Sequence, residues 1–156
     1  MTDTEYATTT ARIGALADLW LPCLGLKDAW HIAFRYFRDS GEYAMDKHGE
    51  SYDRESVAYA SVSWAYLDAL ITFNVPRFVV MTPARQEEAF VHELCHVLIH
   101  EMRAGTRCDC EYDIRHEERV CTMLARAFVW TKEHFSRTAD PEKTCTPQKG
   151  AAQDAG

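Results

Sequence analysis

The spacing of hydrophobic residues changes along the chain, and each change predicts a new structural element. Near the start, four large apolar residues recur every three or four positions: Ile13, Leu16, Trp20 and Leu24. This spacing is typical of one face of a helix. The threonines at positions 8–10 can cap that helix, and Pro22 and Gly25 lie where it should end.

The next segments show the patterns of strands. Large apolar residues occupy every second position at the start of the segment 30–37, which predicts a first strand. The segments 57–64 and 67–75 are rich in β-branched and aromatic residues and are separated by a very short link, so they predict a hairpin. The polar segment 38–56 predicts a long surface loop or a weakly structured hairpin tip. Residues 77–81 are expected to extend or follow the third strand.

From 83 to 103 the hydrophobic residues recur with a helical period. Thr82 is a suitable cap for this helix, and Pro83 suits its first position. A loop rich in charge and cysteine over 106–115 leads to a last helix predicted over 116–135. One helix, about three strands in a small antiparallel or mixed sheet and two further helices give a small α+β domain.

The composition agrees with one domain. The chain has 156 residues, of which 47% are hydrophobic and 26% are charged, and single domains commonly contain about 100–150 residues. We therefore expect one domain over 1–135. The remaining segment, 136–156, is poor in large apolar residues and is expected to be a flexible tail.

The charge and the length of the apolar segments argue against two classes of partner. The formal net charge is −7, and nucleic-acid binding depends largely on Lys and Arg that neutralise phosphates. No apolar segment approaches the roughly 20 residues of a membrane helix, and the first residues lack the features of a secretion signal. We therefore expect a cytoplasmic protein that binds neither nucleic acid nor membrane.

In a cytoplasmic protein, cysteines are expected to be reduced thiols or metal ligands rather than disulfides. The chain has six of them: Cys23, Cys95, Cys108, Cys110, Cys121 and Cys145. The pair Cys108 and Cys110 could contribute to a second, structural zinc site, but structural sites normally have a wider cysteine spacing. We therefore expect this pair to have no metal-binding role.

The helix predicted over 83–103 contains the sequence His92-Glu93-Leu94-Cys95-His96, an HExxH motif. At 100° per residue, His92 and His96 lie within about 40° of each other and one turn apart, so both imidazoles can reach one metal ion. Glu93 lies one step further round the helix, where it can hydrogen-bond a water on that metal and take its proton. The motif predicts a zinc site with Glu93 as general base.

A catalytic zinc usually has three protein ligands and a water, so a third ligand is expected further along the chain. Extending the apolar stripe of the last helix backward reaches Glu117 rather than Glu118. A carboxylate in line with a buried stripe needs a cation, which favours Glu117, with Glu118 as the alternative. Three further residues nearby have suitable chemistry: Glu111, Asp113 and His116.

The segment Ala89-Phe90-Val91-His92-Glu93-Leu94-Cys95-His96-Val97-Leu98 resembles the extended signature of the zincin metallopeptidases. A glutamate ligand on a following helix is similar to the gluzincin branch. Within that branch, the motif followed by a Glu-bearing helix resembles small bacterial and phage proteins of the ImmA/IrrE type, and the strand with Ala69, Ile71 and Phe73 resembles SprT-like domains. The resemblance implies a zinc-dependent peptidase that hydrolyses peptide bonds of a protein or peptide.

The resemblance also implies roles for residues around the motif. An extended peptide would lie along the strand 67–75 and pair with it as an added strand. Tyr112 and His116 are candidates for stabilising the transition state, although either could equally be a surface residue of the loop. His100, one turn after His96, is expected to support the zinc ligands rather than to be one.

A second class of function is compatible with the same residues. The chain could be a zinc-stabilised module of bacterial or phage origin that binds and regulates other proteins without cleaving them. The two functions differ in the fourth coordination position of the metal, which is open in an enzyme and filled or blocked in a structural site. Glu93 favours the enzyme, because a structural site has no use for a carboxylate at that position.

Overall fold

A mixed sheet of three strands lies at the centre of the computed structural model, which describes residues 1–46, 56–104 and 111–138. The strands are β1 (His31–Phe37), β2 (Ala58–Ser63) and β3 (Asp68–Asn74), in the order β1-β3-β2. β1 is parallel to β3, and β2 is antiparallel to it. The predicted hairpin and α+β fold are therefore confirmed.

The link between β2 and β3 is a single tight turn. Residues Trp64–Tyr66 form one turn of 3-10 helix, and Leu67 adopts a left-handed conformation with φ of 53°. The resulting register places Ser63 opposite Asp68 and Ala58 opposite Phe73. As a result, the start of β2 lies beside the end of β3.

The first helix, α1 (Asp3–Cys23), begins earlier than the sequence predicts. The Thr2 hydroxyl accepts a hydrogen bond from the Glu5 amide, and the Glu5 carboxylate accepts one from the Thr2 amide. With this reciprocal capping box, Thr2 is the N-cap and the helix begins at Asp3. The predicted cap at 8–10 is therefore wrong. The helix includes Pro22 and is followed by Gly25, which adopts φ of 69°.

Two short helices occupy segments that the sequence assigns differently. The helix α2 (Ser40–Asp46) lies inside the predicted loop 38–56. The Asp39 carboxylate accepts hydrogen bonds from the first amides of α2, and Tyr43 is fully buried. These contacts explain why a polar segment folds here. The rest of the predicted loop up to position 55 lies outside the described residues.

The second short helix is α3 (Val75–Val79), which follows β3 directly. Residues 77–81 therefore follow the third strand and do not extend it.

The two long helices agree with the predicted ones. The helix α4 (Pro83–Ala104) covers the predicted span 83–103, and α5 (Glu111–Thr138) covers 116–135 with an additional turn at its start. The predicted flexible tail starts at 136, but 136–138 belong to α5. Positions 139–156 lie outside the described residues, so the rest of the tail stays a prediction. None of the helices in the described part of the chain combines the length and the apolar character needed to cross a membrane.

The hydrophobic core lies between the sheet and α4. Phe90 of α4 stacks on Phe73 of β3, with ring centroids 6.0 Å apart and nearly parallel ring planes, and it also contacts Phe34 of β1. Four further apolar residues of α4 are fully buried: Val91, Leu94, Cys95 and Val97. Since β2 begins beside Phe73, the first half of α4 crosses the sheet near the start of β2.

One polar cluster joins three helices behind the core. The Trp20 indole of α1 donates a hydrogen bond of 2.8 Å to the Glu87 carboxylate of α4. The Lys132 ammonium of α5 pairs with the same carboxylate and lies over the Trp20 ring. The cluster therefore holds α5 and α1 against the same side of α4.

Candidate metal centre

Helix α4 places the imidazoles of His92 and His96 together at the edge of the core. The two Nε2 atoms are 3.1 Å apart, and the ring centroids are 4.8 Å apart in an edge-to-face arrangement. The spacing of four residues on a regular helix produces this proximity, as the sequence predicts. Both side chains are largely buried, with 18% and 14% of their surface exposed.

The carboxylate of Glu118, on α5, faces the same two nitrogens. Its Oε2 lies 3.2 Å from His92 Nε2, and its Oε1 lies 3.4 Å from His96 Nε2. Helix α5 crosses α4 at this point, so residues 26 and 22 positions apart in the chain meet. His92, His96 and Glu118 form a group whose ligand atoms lie within 4.8 Å of one another.

This group fits a divalent metal ion. Ligand atoms about 2.0–2.1 Å from a tetrahedral zinc are separated from one another by roughly 3.3 Å. The separations of 3.1, 3.2 and 3.4 Å between the imidazole nitrogens and the carboxylate oxygens are close to that value. Two imidazoles and one carboxylate are also a donor set that catalytic zinc sites use. The residues present could therefore hold a metal ion.

Glu117 contacts a different nitrogen. Its Oε1 lies 2.8 Å from His96 Nδ1, and its side chain is only 11% exposed. A carboxylate on the second nitrogen of a metal-binding histidine orients the ring and leaves Nε2 free of its proton. The apolar stripe correctly indicates that Glu117 points inward. The distances nevertheless favour Glu118, the sequence-based alternative, at the position of the third ligand.

Thr122 is a residue of the site that the sequence analysis does not identify. Its hydroxyl oxygen lies 3.4 Å from His92 Nδ1. The signal for it is its position one helical turn after Glu118, which places both residues on one face of α5. Each histidine of the pair thus has a polar group of α5 at its Nδ1.

The carboxylates around the histidines make the site attractive to positive charge. Burial lowers the pKa of His92, but the hydrogen bond to Glu118 and the charges of Glu93, Glu118 and Glu88 outweigh burial and leave this pKa raised. Glu93 is itself 7% exposed. A cation would relieve the repulsion among these carboxylates, which agrees with a metal-binding role.

The metal-binding group opens into a cleft of about 700 Å³. One wall of the cleft is β2, and the other walls are faces of α4 and α5. Glu93 lines this cleft, and so does His100, whose supporting role stays a prediction. His116 is exposed on α5 and is not among the described residues that line the cleft. The side chain of Tyr112 lies outside the described part, so neither candidate for transition-state stabilisation gains support.

None of the three described cysteines belongs to the group formed by His92, His96 and Glu118. Cys95 and Cys121 are fully buried, and Cys23 is exposed; all three are free thiols. Burial raises the pKa of Cys95 to about 12, so it is a neutral packing residue at physiological pH. Cys108 and Cys110 lie outside the described residues.

In comparisons with known protein families, with curated proteins and with solved structures, no match was found for this chain. The resemblance to zincin metallopeptidases therefore depends on the motif residues alone.

Proposed function

We propose that the protein is a zinc-dependent metallopeptidase that hydrolyses peptide bonds of a protein or peptide. The observation that carries this proposal is the convergence of two imidazoles and a carboxylate at the floor of an open cleft, beside a buried glutamate. A purely structural zinc site is normally closed by four protein ligands. Among the described residues, three form the group, and the cleft gives a substrate access to it.

In this proposal each residue has a distinct role. His92, His96 and Glu118 hold the ion, while Glu117 and Thr122 orient the two imidazoles through their Nδ1 atoms. Zinc, when bound, supplies a Lewis acid that polarises a carbonyl group and lowers the pKa of water toward neutrality.

Glu93 acts as the general base in the same mechanism. It takes the proton of the attacking water, and it then delivers that proton to the leaving amine nitrogen. Its position one residue after His92 on a rigid helix keeps its carboxylate beside the metal centre. Only 7% of Glu93 is exposed, and this low exposure to water strengthens its electrostatic interactions with the reacting groups.

The substrate would lie along β2. The sequence-based expectation that the strand 67–75 provides this edge is wrong, because β3 is the central strand and is paired on both sides. Among the described strands, β2 is paired on one side only and also lines the cleft. An extended peptide could add to the open side of β2 through main-chain hydrogen bonds.

The test is cleavage of a broad peptide library by the zinc-loaded protein, beside Glu93→Gln. We expect cleavage by the wild-type protein and a loss of at least about 100-fold in Glu93→Gln, because general-base catalysis contributes 10²–10⁴-fold. Zinc content should be equal in both proteins. One bound zinc without cleavage of any peptide would contradict the proposal and would indicate the zinc-stabilised binding module instead.

A further inference from the structure

Two arginines from different helices meet in the cleft at Glu88, about two helical turns along α4 and α5 from the candidate metal ligands. Arg85 of α4 and Arg126 of α5 both line the cleft and both pair with Glu88. Glu88 precedes His92 by one turn of α4 and is close enough for its charge to raise the pKa of His92. The cluster is thus beside the proposed reaction site.

The pairing with Glu88 uses only part of each guanidinium. Arg126 donates through Nε at 2.7 Å to one carboxylate oxygen, and Arg85 donates through Nη1 at 2.8 Å to the other. An arginine has five N–H donors, and the two side chains are 63% and 59% exposed. Further N–H donors of both residues therefore face the solvent of the cleft.

The charges of this cluster do not cancel. Burial raises the pKa of Glu88, but the hydrogen bonds and charges of Arg126 and Arg85 outweigh it, so the carboxyl stays ionised. One carboxylate between two guanidinium groups leaves a net positive charge. The other acidic residues that line the cleft are Glu93, Glu117 and Glu118, and the charge of a bound divalent ion would offset two of their three negative charges.

A role in joining α4 to α5 does not account for this cluster, because its ion pairs contribute little to the stability of the fold. Exposed arginine–carboxylate pairs typically stabilise a fold little, and α4 and α5 are already joined by the buried residues Cys121 and Ala125 and by the pair of Glu87 with Lys132. Guanidinium groups are well suited to bidentate recognition of carboxylates.

We propose that Arg85 and Arg126 form a subsite that recognises a carboxylate of the peptide substrate. This inference depends on the proposed peptidase function. Arg85 precedes His92 by seven residues, which is about 10.5 Å along α4. Because an extended peptide advances about 3.3 Å per residue, the recognised carboxylate belongs about three residues from the bond that is cleaved. The carboxylate is an acidic side chain or the C-terminus of the substrate.

The test measures peptide binding to the zinc-loaded Glu93→Gln protein, so that it does not require cleavage. The probes are octapeptide mixtures with Asp or Glu at one position, matched mixtures with Asn or Gln there, and each mixture with a free or an amidated C-terminus. We expect the mixtures that carry the recognised carboxylate to bind more tightly than the matched neutral ones. When Arg126→Gln or Arg85→Gln is added, the affinity for those mixtures alone should fall by about tenfold.

A matched control separates the subsite from general electrostatics. Arg119→Gln removes the same charge from an exposed position of α5 that is not among the cleft-lining residues, and it should leave all affinities within about twofold. Preference for the acidic side-chain series or for free C-termini identifies the source of the carboxylate. The inference is overturned if peptides with and without the carboxylate bind with equal affinity, or if neither binds. It is also overturned if Arg119→Gln lowers the affinity as much as Arg126→Gln or Arg85→Gln does.

The same experiment distinguishes this inference from the proposed function. Selective binding of carboxylate-bearing peptides that the wild-type protein does not cleave supports the subsite and contradicts the peptidase. Cleavage of neutral and acidic peptides at equal rates, with no effect of Arg126→Gln on either, supports the peptidase and contradicts the subsite.

Discussion

The adjacent residues Glu117 and Glu118 reach opposite sides of one imidazole. Glu117 contacts His96 Nδ1, and Glu118 lies near His96 Nε2. Neighbouring residues on a helix point about 100° apart, and the two carboxylates accordingly reach different nitrogens of the ring. The ring is thereby placed between the carboxylate of Glu117 and the carboxylate that could share a metal ion with it.

We expect the two glutamates to differ in their effect on zinc affinity. Replacing Glu117 with Gln should weaken zinc binding by about tenfold, as for other groups that orient a metal-binding histidine. Replacing Glu118 with Gln should weaken it further, because a ligand is lost. Competition with a zinc chelator measures both affinities. A larger loss in Glu117→Gln would contradict the geometry and restore the sequence-based ligand.

The sequence predicts the His92 and His96 pair and the position of Glu93 because all three depend on the geometry of one helix. It favours Glu117 as the third ligand, whereas the distances favour Glu118, since that choice depends on how α5 crosses α4. Sequence periodicity shows which face of a helix is buried, but it does not show which atom of a partner helix that face meets.

Among the elements, those with a strong local period are the ones that the sequence predicts correctly. The long helix α4 and the hairpin of β2 and β3 are examples. The helix α2 is missed because its stability depends on burial of Tyr43 against the sheet, a tertiary effect. The central position of β3 is missed for a similar reason, since the parallel pairing with β1 joins segments that are far apart in the chain.

The start of α1 offers a test at the scale of one element. Replacing Thr2 with Ala removes the capping box and should lower the free energy of unfolding by about 1 kcal/mol. Thr8→Ala is the matched control, because Thr8 is exposed inside the helix and alanine is the better helix former. Urea denaturation measures both variants. A larger loss in Thr8→Ala would indicate that the helix begins at 8–10 after all.

At the scale of the whole molecule, a bound ion would add a second connection between α4 and α5. The first consists of buried Cys121 and Ala125 with the pair of Glu87 and Lys132. The metal centre lies on the cleft side of α4, where the described contacts between the two helices are mainly polar. An ion held by residues of both helices stabilises the folded state, because it binds the unfolded chain weakly.

We therefore expect zinc to raise the melting temperature. Free zinc at about 100 times its dissociation constant adds roughly 2.7 kcal/mol, which for a chain of this size corresponds to an increase of roughly 5–10 °C. Thermal unfolding followed by circular dichroism, with and without zinc, measures the shift. His96→Ala should show no increase, and an equal increase in that variant would place the zinc elsewhere.

The most direct measurement of the metal centre is zinc X-ray absorption on the zinc-loaded protein. We expect a first shell of nitrogen and oxygen at about 2.0–2.1 Å, with the scattering of two imidazoles. The same spectrum should be found for Glu93→Gln, whose substitution leaves all three ligands in place. Sulfur at about 2.3 Å would show that cysteines hold the ion, and it would contradict a centre formed by His92, His96 and Glu118.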